Sequence, residues 1–225
     1  MKLFEVVNLG LVNYQQAWDL QRESVKARME KDTPDKLILC EHNHVYTFGK
    51  SADHTNLLIS PAFLKNIGAE TFEIERGGDI TYHGPGQLVG YPILDLNELK
   101  IGVRKYVDLL EETLIQTLSH FGIQTHRIPE LTGIWLKEGR SRKIAAIGIK
   151  ISRGITMHGF ALNVSTDLSY FNHIIPCGIE DKDVTTMSKE LGRDVDVSEV
   201  EDVYVGKFKT LFGLEKDQRP FVINH

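Results

Sequence analysis

The chain has 225 residues, 41% of them hydrophobic, enough to bury a full core and in the range of one large domain or two small ones, and residues 1–225 are expected to form a single domain. Its 26 Lys+Arg against 31 Asp+Glu leave a net charge of -5, which speaks against nucleic-acid binding, where a basic surplus is usual. The start MKLFEVVNLG lacks the apolar stretch of a signal peptide and no apolar run approaches about 18 residues, so a cytoplasmic protein without a membrane span is expected.

In chain order, residues 3–9 read as a short strand, and Asn13 opens a helix as its N-cap with Gln16 three positions on. The apolar positions Tyr14, Ala17, Trp18, Val25 and Met29 follow helical spacing and mark a core face. Thr33-Pro34-Asp35 ends that helix. Leu37-Ile38-Leu39-Cys40 is then a continuous apolar run, the pattern of a strand buried on both faces, which makes Cys40 an inert core thiol. Glu41-His42-Asn43-His44 invites a metal reading, since two histidines at i and i+2 of a strand share a face; no third ligand follows at recognisable spacing, and no metal is expected. Gly49-Lys50-Ser51 resembles the end of a phosphate loop but fails, because that motif needs glycine where this chain has His44. Ser60-Pro61 starts a short helix closed by Gly68, and residues 71–75 alternate as a half-buried strand.

Residues 76–96, RGGDITYHGPGQLVGYPILDL, stand apart. Gly77, Gly78, Gly84 and Gly86 beside Tyr82, His83 and Gln87 suit a pocket wall made of main chain, or simply a glycine-rich turn between strands. Residues 88–94 read as a strand, and residues 103–121 as the best helix in the sequence. Its stripe of Val103, Val107, Leu110, Leu114, Leu118 and Phe121 is packing, with Gly122 placed at its end. Four β-like segments follow, residues 123–127, 133–136, 143–151 and 155–164, the last two a hairpin around Ser152-Arg153-Gly154. After the irregular stretch DLSYFNHIIPCGIEDKDVTT, a last helix begins at Ser198, with Glu201 completing a capping box, and stops at Gly213. Strands before and after long helices without βαβ repetition give an α/β fold of α+β type, a mixed sheet with packed helices.

Two residues of the second half suit chemistry. Cys177 sits between Pro176 and Gly178 in a loop reading, where a thiol is accessible, and it matches no CxxC partner in a chain with two cysteines. Lys143 opens a strand of small apolar residues, and an ammonium near a thiol favours the thiolate. Spacing alone does not say that the two meet. Lys137, Arg140, Arg142, Lys143, Lys150 and Arg153 face the single acid Glu138 in this region, either a docking patch for an acidic partner or a pair of solvated strand edges.

Taken with GIWL, KIAAIGIKISRGITMHGFALNV, DLSYFNHIIPCGI and VTTMSKELG, the glycine-rich segment resembles the octanoyl-[acyl-carrier-protein]:protein octanoyltransferase family of lipoate biosynthesis, in that family's order over residues 41–192. The resemblance implies a biotin/lipoate ligase-like catalytic fold. It also implies transfer of an octanoyl group from octanoyl-acyl carrier protein to a lysine of lipoyl-domain proteins, such as 2-oxoacid dehydrogenase E2 subunits and the glycine cleavage H protein, through a cysteine thioester and with no cofactor. The family's cysteine and lysine fall on Cys177 and Lys143. Its substrate-binding segments fall on Arg76, Gly77, Gly78, Asp79, Ile80, Thr81, Tyr82 and His83, on Ala146, Ile147 and Gly148, and on Gly159, Phe160 and Ala161. Backbone N–H groups of Gly77, Gly78 or Gly148 are candidates for an oxyanion site, and Ile147 with Phe160 for the wall of an acyl slot. Gly154 stands where relatives often carry a bulkier residue. The alternatives are an ATP-dependent lipoate or biotin protein ligase, a silent acyl-binding module, and a thioesterase.

Overall fold

A computed structural model describes residues 4–31, 33–129, 131–136, 141–175, 183–214 and 222–223. Strand β1 (Phe4–Val12) leads into helix α1 (Tyr14–Met29). Asn13 caps that helix, its Oδ1 accepting the N–H of Gln15 at 2.8 Å rather than that of Gln16. Strand β2 (Asp35–His42) carries the continuous apolar run: Leu37 and Leu39 belong to the core on one side of the sheet, Ile38 and Cys40 to the core on the other. Next come β3 (Val45–Phe48), a 3-10 turn at His54–Asn56, α2 (Pro61–Asn66), β4 (Glu70–Glu73), β5 (Ile80–His83) and β6 (Gln87–Ile93). β4 is a mostly exposed strand rather than a half-buried one, and Ile74 just after it is the buried residue.

α3 (Leu96–Leu99) and α4 (Val103–His120) precede β7 (His126–Ile128), β8 (Leu131–Leu136), β9 (Arg142–Ser152) and β10 (Ile155–Asn163). In α4 the stripe is fully buried at Leu110, Leu114 and Leu118, each contributing about 2 kcal/mol of apolar burial, while Val103 is 53% exposed and takes no part. The turn between β9 and β10 is the expected hairpin, Ser152 pairing with Ile155 and the two turn residues Arg153 and Gly154 both at positive φ. A 3-10 helix (Leu168–His173), β11 (Asp183–Val184), α5 (Met187–Leu191), α6 (Val197–Phe212) and β12 (Val222–Ile223) complete the described elements.

The start of α6 departs from the capping-box expectation. Asp196 is the cap, its Oδ1 accepting both the N–H and the hydroxyl of Ser198, and Glu201 instead accepts two bonds from Asn8 Nδ2 at 2.7 and 2.8 Å. A carboxylate at the cap outcompetes the serine two positions later, and a partner from β1 claims the glutamate.

Among the described residues the strands form a nine-stranded mixed sheet, ordered β12-β1-β2-β6-β10-β9-β8-β7 with β11 alongside β9, and a three-stranded sheet ordered β4-β3-β5. In the large sheet β1 runs parallel to β2 and β12, β11 runs parallel to β9, and the β2-β6-β10-β9-β8 stretch is antiparallel. Helices α4 and α6 cover one face, where Leu39, Leu88, Leu110, Leu114, Phe160 and Phe208 share a core. Helix α1 covers part of the other face through Ala17, against Ile38, Val89 and Ala161. The small sheet has its own core around Tyr46, Phe48, Ile80 and Tyr82. No helix among the described residues is long and apolar enough to cross a membrane.

Candidate functional site

The segment that follows β4 crosses the large sheet at close range. Gly77 donates its N–H to Ile149 O at 3.0 Å, and Arg76 passes directly over Gly148, where an added Cβ would lie 2.9 Å from Arg76 Cδ. Only glycine at 148 leaves room for that crossing. The Arg76 guanidinium donates to Thr47 O at 2.7 Å and to Gly77 O at 3.1 Å, fastening the loop to β3. Asp79 accepts from Asn56 Nδ2 at 2.6 Å and from the N–H of Asp53 at 3.2 Å, so the far side of the loop is held as well.

Between this loop, β5 and the large sheet lies a cavity of about 490 Å³. Arg76, Gly77, Gly78, Asp79, Ile80, Thr81 and His83 line it from above, and Ala146, Gly148, Gly159 and Ala161 from the sheet. Tyr82 does not line it: strand alternation turns its ring into the small-sheet core, where its hydroxyl meets His44 Nδ1 at 2.7 Å. Ile147 and Phe160 border the cavity, yet their side chains belong to the core beneath α4 and α6, and the Phe160 ring lies tilted against Tyr204 with centroids 4.4 Å apart. The slot is therefore floored by main chain and small residues, with Val89 and Trp135 adding apolar wall. Tyr14, Tyr91, Trp135, His158 and Asn163 also line it and were not singled out in the sequence as site residues. The last four come from strand positions and Tyr14 from a helix start, all of which read as core.

Lys143 reaches this cavity through a break in register. Along β9, Ala146 and Gly148 line the cavity, whereas Ala145, Ile147, Ile149 and Ile151 face the helix core, so simple alternation would send Lys143 to the helix side. Ile134 of β8 pairs with Ala145, but Trp135 pairs with Lys143, which leaves Ile144 as an extra residue. Ile144 and Ala145 are both buried in the helix-side core, and Lys143 is switched to the cavity side. Gly133, opposite this bulge, has φ +125, and a Cβ there would lie 2.6 Å from Ala145 O. The Lys143 ammonium sits 4.7 Å from the centroid of the Trp135 ring, and Val184 of β11 pairs alongside Lys143.

Cys177, with Lys137, Glu138 and Arg140, lies outside the described residues. The chain is described up to Ile175, whose N–H donates to Asn56 O at 2.9 Å, and again from Asp183, which lines the cavity. The basic patch is partly neutralised by acids from elsewhere: Arg142 donates to both Glu190 oxygens at 3.1 and 3.0 Å, and Lys150 pairs with Glu75 at 3.2 Å. Of the oxyanion candidates, Gly77 is already committed to Ile149 O, while Gly78 lines the cavity and its N–H has no hydrogen-bond acceptor among the described residues. At Gly154 an added Cβ would fall 2.0 Å from Asn97 Nδ2, so a bulkier residue there requires Asn97 to move.

Three buried imidazoles stand here, His83 and His158 lining the cavity and His42 close by them. His42 ends β2 and donates through Nδ1 to Val12 O at 3.0 Å, leaving Nε2 to accept from the Tyr91 hydroxyl at 2.7 Å; His44 lies beyond the strand and turns to Tyr82, so the pair does not share a face. Among the described residues no cluster suited to a metal ion is present. His158 has φ +58, an uncommon conformation for a side-chain-bearing residue; its N–H donates to Gln21 Oε1 at 3.0 Å and its Nε2 is buried without a partner among the described residues. Burial pushes these rings down, His42 to about 4, His83 to about 3 and His158 to about 3, with the neighbouring Arg76 charge adding to the effect at His83 and His158. Burial likewise pushes the Cys40 thiol far up, which keeps it protonated and inert.

Residues 13–209 match the family described as Lipoyl protein ligase A/B catalytic domain. The octanoyltransferase of Cytophaga hutchinsonii is 48% identical over 225 residues, covering 93% of this chain and 92% of the relative. That of Christiangramia forsetii is 48% identical over 228 residues, covering 95% of this chain and 97% of the relative. Among solved structures, the bi-partite lipoate protein ligase of Thermoplasma acidophilum superposes with a TM-score of 0.72 at 15% identity, covering 100% of this chain and 87% of that chain. The biotin protein ligase from Aquifex aeolicus in complex with biotin and ATP gives 0.52 at 12% identity, covering 97% and 73%. At such identities the likeness shows the fold, a biotin/lipoate ligase-like one.

Proposed function

Because the chain belongs to the lipoyl protein ligase A/B catalytic-domain family, with octanoyltransferases as its relatives, we propose that it moves an octanoyl group from octanoyl-acyl carrier protein to a lysine of lipoyl-domain proteins. The observation that carries this reading is Lys143, turned by a bulge onto a slot floored by Gly148, Gly159, Ala146 and Ala161. A straight acyl chain fits against main chain and methyl groups, and its burial contributes up to about 0.8 kcal/mol per methylene. Residues 1–225 work as one cytoplasmic catalytic domain without a cofactor.

In the first half-reaction Lys143 takes the proton of Cys177, and the thiolate attacks the carrier-bound thioester carbonyl. Gly78, which lines the cavity, is the main-chain donor this reading assigns to the oxyanion. As the tetrahedral species collapses, the carrier thiolate leaves and recovers the proton from Lys143, and the octanoyl group rests as a Cys177 thioester. Thioester has replaced thioester at similar energy, so no ATP is consumed. In the second half-reaction the acceptor amine attacks, the Cys177 sulfur leaves, and the amine's proton goes to Lys143 or to that sulfur, giving an amide and the free enzyme.

The ATP-dependent ligase reading is not favoured, since the likeness to ligase structures carries the fold alone. Intact-mass measurement of the protein mixed with octanoyl-acyl carrier protein tests the proposal. Gain of one octanoyl group on Cys177, its transfer to a lipoyl domain, and loss of both in Cys177→Ser are expected. Product made from free octanoate only when ATP is added would overturn it, and release of free acid without an acceptor would point to a thioesterase.

A further inference from the structure

A buried hydrogen-bonded relay fixes which nitrogen of His83 carries its proton. It starts at Thr185 O, a main-chain carbonyl that can only accept, held beside the site because the Thr185 N–H donates to Lys143 O at 3.0 Å. The Asn163 atom facing that carbonyl at 3.1 Å is therefore the amide nitrogen Nδ2. Asn163 Oδ1 is left to accept, and Gln87 Nε2 donates to it at 2.8 Å and toward a second carbonyl, Tyr82 O, at 3.4 Å. Gln87 thus presents Oε1 to His83 Nδ1 at 2.8 Å, and an oxygen at that distance requires Nδ1 to be the protonated nitrogen. His83, Gln87, Asn163 and Thr185 are all buried, so water does not scramble the relay. The remaining nitrogen, Nε2, keeps its lone pair; it has no partner among the described residues and belongs to a ring that lines the cavity.

His83 and Lys143 line the same cavity, so on the transferase reading an acceptor-only atom there discriminates among the groups that enter. It repels the carbonyl oxygen and the oxyanion, and it offers nothing to methylenes. A reactant bearing a hydrogen-bond donor, as the amine of the second half-reaction does, gains from it. We propose that His83 binds the nucleophile of the second half-reaction, Nε2 accepting a hydrogen bond from the amino group of the acceptor lysine, with Gln87 and Asn163 as positioning residues that set the tautomer. This rests on the transferase reading above. The N–H held by His83 is one that stays on nitrogen in the amide-forming step, so the amine lone pair is directed at the thioester carbon. The proton that is lost goes to Lys143 or to the departing Cys177 sulfur. His83 itself stays neutral throughout: burial, with the Arg76 charge adding to it, holds it too weakly basic to take that proton.

The relay can be tested directly on the full chain. Long-range proton–nitrogen spectra of protein labelled at its histidines are expected to show His83 with hydrogen on Nδ1; hydrogen on Nε2 would overturn the inference. Kinetically, octanoyl enzyme is formed first and followed by intact mass, then mixed with a lipoyl domain. His83→Phe, which keeps the ring's shape, is expected to slow transfer from the octanoyl enzyme about 10- to 100-fold more than it slows loading. Loading slowed as much as transfer would overturn the role, while absence of any adduct in the unsubstituted protein would overturn the transferase reading itself. Gln87→Glu supplies a signature that structure alone would not. A carboxylate against Nδ1 raises the imidazole pKa against the lowering influence of burial and of Arg76, and below that value Nε2 becomes a donor. The transfer step of this variant is expected to lose rate as pH falls and to recover at alkaline pH, and a pH profile parallel to that of the unsubstituted protein would count against the proposal.

Discussion

Three imidazoles held neutral inside the protein make its stability steeply dependent on acid. His42, His83 and His158 are depressed by burial to about 4, about 3 and about 3, whereas the same rings in an unfolded chain titrate near about 6.5. The native state therefore keeps its full advantage above the unfolded value and loses it as pH falls through the window from about 6.5 toward about 3, because the unfolded chain binds protons that the folded one refuses. Between about pH 7.5 and about pH 5.0 each ring costs about 2 kcal/mol, and the three together about 6 kcal/mol, a large share of the roughly 5–15 kcal/mol that holds a domain folded. His44 shifts in the same direction for the same reason, burial, and adds to the three, whereas Glu201, raised by burial, binds its proton more readily in the folded state and opposes them. Urea unfolding at a series of pH values is expected to give a stability slope near about 4 kcal/mol per pH unit around pH 5. A slope below about 1.4 kcal/mol per unit, the value for a single proton, would refute the neutral-core argument.

Arg28 is buried between helix α1 and β2, with Nε 2.7 Å from Asp35 and a terminal nitrogen 3.0 Å from Glu98. Arg28→Met keeps the volume but strips a buried carboxylate of its cation, and is expected to cost about 3–5 kcal/mol in denaturant unfolding; a loss under about 1 kcal/mol would contradict it. Trp135→Leu removes the ring face under the Lys143 ammonium and is expected to lower kcat for octanoyl transfer about 3- to 30-fold with KM for the lipoyl domain little changed, as steady-state kinetics would report.

Much of the scaffold was legible because local pattern and tertiary demand agree there. The run at Leu37-Ile38-Leu39-Cys40 alternates between two cores, as a strand covered on both faces must, and the Arg153-Gly154 turn follows from the need for two positive-φ residues. The glycine-rich segment was legible as a site wall because close main-chain approach leaves a compositional trace. Side-chain direction was harder. Tyr82, Ile147 and Phe160 sit in the right segments and point away from the cavity, since parity along a strand is set by partners that sequence alone does not fix. Tyr14, Tyr91 and His158 look like core residues because they are core residues, buried on one side and facing the slot on the other. Strand β3 was missed because four residues, Val45–Phe48, are too few for a period to register, and the cap of α6 was misplaced because two capping signals overlap and the competition is settled by Asn8 from the opposite end of the chain.

The bulge at Ile144 is the feature on which the placement of Lys143 turns, and it separates two readings of the same strand. In an unbroken strand, residue 144 would share the parity of Ala146 and Gly148 and face the cavity, and residue 143 would lie against the helices. With the bulge, Ile144 is wholly buried in the helix-side core and Lys143 looks into the slot. The double substitution Lys143→Ala with Ile144→Lys moves the amine by one position and decides between them. An unbulged strand would deliver the transplanted lysine to the cavity and restore octanoyl transfer. The bulged strand drives an ammonium into a core that includes Leu110 and Leu114, so no rescue is expected and stability falls by at least about 3 kcal/mol relative to Lys143→Ala alone. Recovery of more than about a tenth of the original transfer rate, with unfolding unchanged, would mean that Lys143 acts from somewhere other than the face described, since a factor of ten is only about 1.4 kcal/mol of barrier.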